Sequence, residues 1–220
     1  MFTRVCNFFS VFYFFYSYTE GMTLDSVSTP MNNFDNETLL SRLYDGDLEA
    51  LSAIIDRFQH SLLNFAGRML SDRDEAEDIV QDTFIKVWNQ RSSVTEVTAL
   101  SAWLYTMTKN ACLDVLRKRS RHATESHDPA TLAEVVESLP REASAGQSPA
   151  FAAEFSATVN GLQQVLDDLP VEQKTAWLLY EVQGASYSEI ASIMSISTSS
   201  VRGKIYRARL AITEKMAAWK

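Results

Sequence analysis

From Leu51 onward the apolar residues recur at intervals of three and four: Leu51, Ile54, Ile55, Phe58, Leu62, Phe65, Ala66 and Met69. That spacing lines one face of an α-helix and does not fit the period of two that a half-buried strand needs. The pattern then repeats. Ser71-Asp72 offers an N-cap oxygen ahead of Glu75, and Ala76, Ile79, Val80, Phe84, Val87 and Trp88 form a second stripe. A polar loop, Asn89 to Thr98, leads to a third run through Leu104, Met107, Ala111 and Val115. Strand-like alternation is absent throughout. With only seven Gly and five Pro in 220 residues, a loop-rich β fold is also disfavoured. The fold class predicted is all-α, with residues 32–121 as a small helical bundle.

Between His122 and Ala150 the periodicity weakens and the text turns rich in Ala, Ser, Glu and Pro, which reads as a flexible acidic linker over residues 122–153. A short helix from Leu132 to Leu139 fits within it. Periodicity resumes with Phe155, Val159, Leu162, Val165, Leu166 and Leu169, opening a second small helical domain, residues 154–220. There Pro170 introduces a helix from Val171 to Val182 that Gly184 ends. Ser186 and Glu189 stand three apart, the reciprocal capping arrangement, at the head of SYSEIASIM. A turn, Ser195-Ile196-Ser197, precedes a last helix beginning near Thr198. Ile190, Ala191 and Met194 would meet Val201, Ile205 and Ala208, which is helix-turn-helix spacing.

The first twenty residues differ in kind. They hold six of the twelve Phe and three of the eight Tyr, in an apolar run from Val5 to Tyr18 that is short for a membrane span. One Arg, an aromatic centre and no small-residue cleavage site argue against a signal peptide. Residues 1–31 are read as a poorly ordered extension ahead of a true start at Met22 or Met31, a membrane anchor being the alternative. Two cysteines, Cys6 and Cys112, make no disulfide framework, and Cys112 falls in a helical pattern as a free buried thiol. The three scattered histidines have no metal-ligand spacing, so neither metal nor cofactor is expected.

Acidic residues outnumber basic ones 28 to 20, for a net charge of −8, which excludes a uniformly basic coat but not local patches. Asp72, Asp74, Glu75, Glu77, Asp78 and Asp82 crowd one helix, suited to docking a basic partner. Lys109, Arg117, Lys118, Arg119 and Arg121 follow Trp103, Tyr105 and Asn110, a mixture of cations and aromatics that can track a nucleic-acid backbone and stack bases. On the last helix, burial of Val201, Ile205, Ala208 and Ile212 leaves Ser199, Arg202, Gly203, Tyr206 and Leu210 outward, flanked by Lys204, Arg207 and Arg209. Short side chains near the N-terminus and cations behind them suit a duplex groove. No catalytic cluster is present, which argues against an enzyme.

Three segments, in this order, resemble the extracytoplasmic-function (ECF) sigma factors of bacterial RNA polymerase. DEAEDIVQDTFIKVWNQ is similar to the region two helix that binds the polymerase β′ clamp helices. AWLYTMTKNACLDVLRKR is similar to the adjoining part that recognises and opens the minus-ten element. LPVEQKTAWLLYEVQGASYSEIASIMSISTSSVRGKIYRARLAI is similar to region four, which reads the minus-thirty-five element. The resemblance implies polymerase binding by Asp74, Glu77, Asp78, Gln81 and Asp82. It implies minus-ten contacts by Trp103, Asn110 and the loop Asn89 to Thr98, with Lys118 and Arg119 on phosphates. Minus-thirty-five contacts would come from Ser199, Ser200, Arg202, Lys204, Tyr206 and Arg207. Gly203 departs from the usual Ser of the family, and Lys204 from the commoner Arg. The partners implied are core RNA polymerase, through its β′ clamp helices and β flap, promoter DNA, and an anti-sigma factor. A small-molecule substrate and stable membrane insertion are not implied, a cytoplasmic place is, and the linker would thread toward the polymerase active-site channel and RNA exit path. The competing reading is a stand-alone helix-turn-helix transcription regulator, which would bind DNA without polymerase.

Overall fold

Polar side chains set where the helices begin. Asp35, Asp47 and Asp72 each accept a backbone N–H of the first turn that follows, from Thr38 at 2.7 Å, Glu49 at 2.9 Å and Glu75 at 3.0 Å. Such a cap contributes about 0.5–2 kcal/mol. In the computed structural model, which describes residues 34–93, 100–125 and 149–217, these caps open α1 (Asn36–Tyr44), α2 (Leu48–Leu70) and α3 (Arg73–Asn89). A 3-10 turn, Arg91–Ser93, follows, then α4 (Leu100–Glu125). The second half holds α5 (Pro149–Asp167), α6 (Val171–Trp177) widening into a π-helix (Leu178–Val182), α7 (Tyr187–Met194) and α8 (Thr198–Ala217). The described residues contain helices and no strand.

Several details differ from the sequence expectations. Helix α1 was not anticipated, because it buries only Leu39 and Leu43, too few positions to show a period. Helices extend into the predicted linker from both sides, to Glu125 and from Pro149, while the Leu132 to Leu139 segment and residues 1–33 lie outside the described residues. In α4 the fully buried set is Leu100, Leu104, Tyr105, Thr108, Lys109 and Cys112, whereas Met107, Ala111 and Val115 are half-buried. The reason is that α4 packs on two sides, against α2 and α3 and also against α7. In the helix-turn-helix, Ile190 and Ile193 fill the seam, with Ala191 and Met194 half-exposed. Val201, Ile205, Ala208 and Ile212 face them as expected, all at most 1% exposed. The π turn lets Trp177, Leu178 and Leu179 all enter the core before Gly184, at φ +66°, ends the element.

All these helices belong to one compact unit, Asp35–Lys220, and hydrogen bonds to helix-end carbonyls join its halves. The last four carbonyls of any α-helix lack intrahelical partners. At the end of α2, Gly67 O accepts from Ser71 N at 2.8 Å and Arg68 O from Gln163 Nε2 at 3.1 Å. Met69 O accepts from Lys174 Nζ at 3.0 Å and Leu70 O from Arg119 Nη1 at 2.8 Å. Two of those donors, Gln163 and Lys174, come from the second half. The service is returned at α7, where Lys109 Nζ from α4 donates to Ile193 O at 2.7 Å. Cations at helix C-termini also meet the negative end of the dipole. Between these caps, Tyr105 Oη donates to Gln183 Oε1 at 2.6 Å, and Gln183 Nε2 to Ser61 O at 3.3 Å.

Candidate nucleic-acid and polymerase interfaces

The acidic stripe of α3 stands where its pattern placed it. With Ala76, Ile79, Val80, Thr83, Phe84 and Val87 buried, Asp74, Asp78, Gln81 and Asp82 are exposed and Glu77 is half-exposed. Glu77 accepts from Arg73 Nε at 3.0 Å, while Asp74, Asp78 and Asp82 form no ion pair among the described residues. Ile85 continues the stripe and is 57% exposed. Sequence reading passed over it because a single isoleucine carries no period; its spacing from Asp78 and Asp82, at seven and three, could have marked it. The other two acids of the cluster are structural. Asp72 caps α3, and Glu75 with Asp72 holds Arg119 at 2.6 and 3.4 Å.

The candidate minus-ten residues all lie on α4 but in different surroundings. Trp103 is half-buried and Asn110 exposed, seven residues apart and so on one stripe. Lys118 is exposed. Arg119 is engaged by Leu70 O, Asp72 and Glu75, so its guanidinium serves as a strut between α4 and the α2–α3 corner. Residues 94–99 of the candidate loop lie outside the described residues.

On the helix-turn-helix, the capping box forms. Ser186 Oγ accepts from Glu189 N at 3.3 Å and Ser186 N donates to Glu189 Oε2 at 2.8 Å. The Ser186 hydroxyl, which also donates to Glu189 Oε2 at 2.7 Å, and then the Ser186 backbone N–H hold the Glu189 carboxyl below the usual glutamate range. Ser195 takes a left-handed conformation, φ 56°, in the turn. Ser197 Oγ accepts from Ser200 N at 3.2 Å, so Ser200 belongs to the first turn of α8 while Ser199 is exposed. Three of the five cations of α8 pair with acids of the preceding helices: Lys204 with Glu172, Arg209 with Glu181, and Lys215 with Asp168. Lys204 keeps only 14% of its side chain exposed. Arg202 and Arg207 form no ion pair among the described residues and are exposed, beside Tyr206 at 67% exposure. The guanidinium of Arg207 lies over Gly203, where an added Cβ would meet Nη1 at 3.4 Å.

Among the described residues no cluster of His, Cys, Asp and Glu is placed to hold a metal ion, and no helix is long and apolar enough to cross a membrane. Burial pushes the Cys112 thiol up to about 12.

A helix-turn-helix with exposed arginines, packed beside a helical bundle with an acidic face, is the architecture of a class of DNA-binding proteins. Residues 54–122 match Sigma-70 region 2 and residues 160–212 match Sigma-70 region 4. The chain is 30% identical over 183 residues to the RNA polymerase sigma-H factor of Pseudomonas aeruginosa, covering 82% of this chain and 93% of that one. It is 31% identical over 183 residues to the ECF RNA polymerase sigma-E factor of Escherichia coli K12, covering 82% and 94%. Among solved structures it resembles the sigma factor RpoE of Bartonella quintana, crystallised with the anti-sigma factor NepR, with a TM-score of 0.60, 26% identity, and 76% and 96% of the two chains covered. The chain belongs to the ECF sigma factors, and it directs RNA polymerase to promoters.

Proposed function

We propose that the two halves divide the work of a non-catalytic specificity subunit in the cytoplasm. Residues 32–121 dock core polymerase and handle the minus-ten element, residues 122–153 link the halves, and residues 154–220 read the minus-thirty-five duplex. The observation that carries this is the separation of two exposed faces of opposite sign, the acidic α3 stripe and the Arg202–Tyr206–Arg207 surface of α8. Asp74, Glu77, Asp78, Gln81 and Asp82 meet the β′ clamp helices, with Ile85 adding an apolar contact. Trp103 and Asn110 take minus-ten bases after strand separation, and Lys118 lies on phosphate. Capture of those bases offsets an unpairing cost of a few kcal/mol per base. Ser199, Ser200, Arg202, Tyr206 and Arg207 meet the duplex. Arg119 and Lys204 reach DNA only by exchanging their present carboxylate partners for phosphate. By analogy with the Bartonella quintana complex, an anti-sigma factor is the regulatory partner.

Run-off transcription with purified core polymerase tests the reading. The doubly substituted variant Asp78→Lys with Asp82→Lys should lose polymerase pull-down and transcription while keeping its helical circular dichroism, since both side chains lie outside the core. Unchanged pull-down would reject the docking assignment. Promoter binding by the chain alone, undiminished without polymerase, would favour a stand-alone regulator.

A further inference from the structure

Four side chains from three successive elements form one continuous stack beside the recognition helix. Tyr180, in the π-helix, and Tyr187, the first residue of α7, lie face to face with ring centroids 5.0 Å apart and planes 5° from parallel. Arg202 of α8 covers the Tyr187 ring at 5.4 Å, and Arg209, two turns further along the same face of α8, covers the Tyr180 ring at 5.1 Å. The order is Arg202, Tyr187, Tyr180, Arg209. Both cation-to-ring distances are inside the range where the ring quadrupole attracts a guanidinium.

The two ends of the stack differ. Arg209 is committed, its Nε donating to Glu181 Oε1 at 2.6 Å. Tyr187 is fixed at its backbone, because it directly follows Ser186, whose capping box with Glu189 sets the start of α7. Arg202 has no carboxylate partner among the described residues, so the Tyr187 face is what restricts its guanidinium. An exposed arginine otherwise samples many rotamers, and a bidentate contact to a base edge needs one plane and one direction.

We propose that Tyr187, backed by Tyr180, is a positioning residue that holds Arg202 ready for the minus-thirty-five duplex, and so contributes to base discrimination at a pair that Tyr187 itself does not read. This rests on the reading of Arg202 as a base contact. The aromatic ring, rather than its hydroxyl, is the part that acts.

The test uses holoenzyme assembled from the full chain and core polymerase. Its probe is a promoter fragment selected by the wild-type holoenzyme from a library randomised at minus-thirty-five. Discrimination against each single base change is measured by fluorescence anisotropy for wild type, Tyr187→Phe, Tyr187→Ala, Arg202→Ala and the double variant Tyr187→Ala with Arg202→Ala. Arg202→Ala should flatten preference at one base pair. Tyr187→Ala should lose about two- to fivefold of discrimination at that same pair, Tyr187→Phe should retain it, and the double variant should be no worse than Arg202→Ala. If Arg202→Ala flattens a preference that Tyr187→Ala leaves whole, or if the two losses simply multiply, the positioning role is wrong and the base contact stands. If Arg202→Ala changes no preference, both fall. A thermal melt of each variant, with Tyr187→Phe as the conservative control, separates a positioning defect from a folding one.

Discussion

Replacing Lys174 by Met isolates the tie between the two halves, because the side-chain length is kept and only the ammonium is lost. Lys174 is 5% exposed and donates to Met69 O at 3.0 Å and to Asp167 Oδ1 at 2.6 Å. Asp167 would not be orphaned, since it also accepts from Ser71 Oγ at 2.6 Å and Gln163 Nε2 at 3.1 Å, and its side chain is 40% exposed. Screening at that exposure makes the ion pair the smaller loss. The larger loss is the Met69 carbonyl, left buried without a donor, at about 1–3 kcal/mol. Against this, the variant no longer buries an ammonium, and that burial holds the Lys174 pKa below the usual lysine value. A net loss of about 2 kcal/mol is expected, seen as a fall in Tm of about 4–8 °C by calorimetry. Lys215→Met is the control: its pair with Asp168 is exposed at both ends and should contribute under about 0.5 kcal/mol. The pH dependence has a fixed sign. A lysine whose folded pKa is lowered binds fewer protons folded than unfolded in the window just below the ordinary lysine value, so stability rises with pH there. Wild type should therefore gain on Lys174→Met as pH climbs through that window. A variant as stable as wild type, or no worse than the Lys215→Met control, would show that burying the charge costs as much as its contacts return.

Three further outcomes are expected. Gly203→Ala should stabilise the fold by about 1 kcal/mol, because it removes a mid-helix glycine and the new Cβ meets only the movable end of Arg207; a lowered melting temperature by circular dichroism would contradict this. Cys112, fully buried with its thiol pushed up to about 12, should resist iodoacetamide at neutral pH until denaturant is added, as read by peptide mass spectrometry. Glu189, held below the usual glutamate range by Ser186, supports the start of α7 above that range and loses its effect as pH falls through its lowered folded value; the Ser186 amide shift, followed by NMR, should titrate below the ordinary glutamate value, and a midpoint at or above that value would mean the capping box is absent in solution.

Helices α2 to α4 and α6 to α8, and the caps at Asp72 and Ser186, were legible in the sequence because they are local. Asp72 lies within one turn of the amide it caps, as do Ser186 and Glu189, and the Val201, Ile205, Ala208 and Ile212 stripe shows its own period. Periodicity says which side is buried but not against what. Lys109 stood in the basic cluster and Lys174 carried no signal of its own, yet their partners stand 84 and 105 residues away and are backbone carbonyls, which no side-chain pattern announces. Charge sign misleads in the same manner. The resemblance implies a phosphate contact for Arg119 and a minus-thirty-five duplex contact for Lys204, and the fold gives each a carboxylate. The π turn escaped notice because it shifts a single register and leaves the apolar run intact.

The lysine caps between the halves give ionic strength two different effects on this protein. Mobile ions screen charges that face solvent, over about 8 Å at physiological salt, and each phosphate contact is weakened further by counterion release. Arg202 and Arg207 are exposed to such screening. Lys109 and Lys174, 8% and 5% exposed and directed at helix-end carbonyls, stand outside it. On the proposed reading, raising salt weakens DNA binding at Arg202 and Arg207 while the Lys109 and Lys174 contacts between the halves persist. What competes with the joint is water reaching the helix ends, at the Arg68 and Met69 carbonyls that close α2 and at the Ile193 carbonyl of α7.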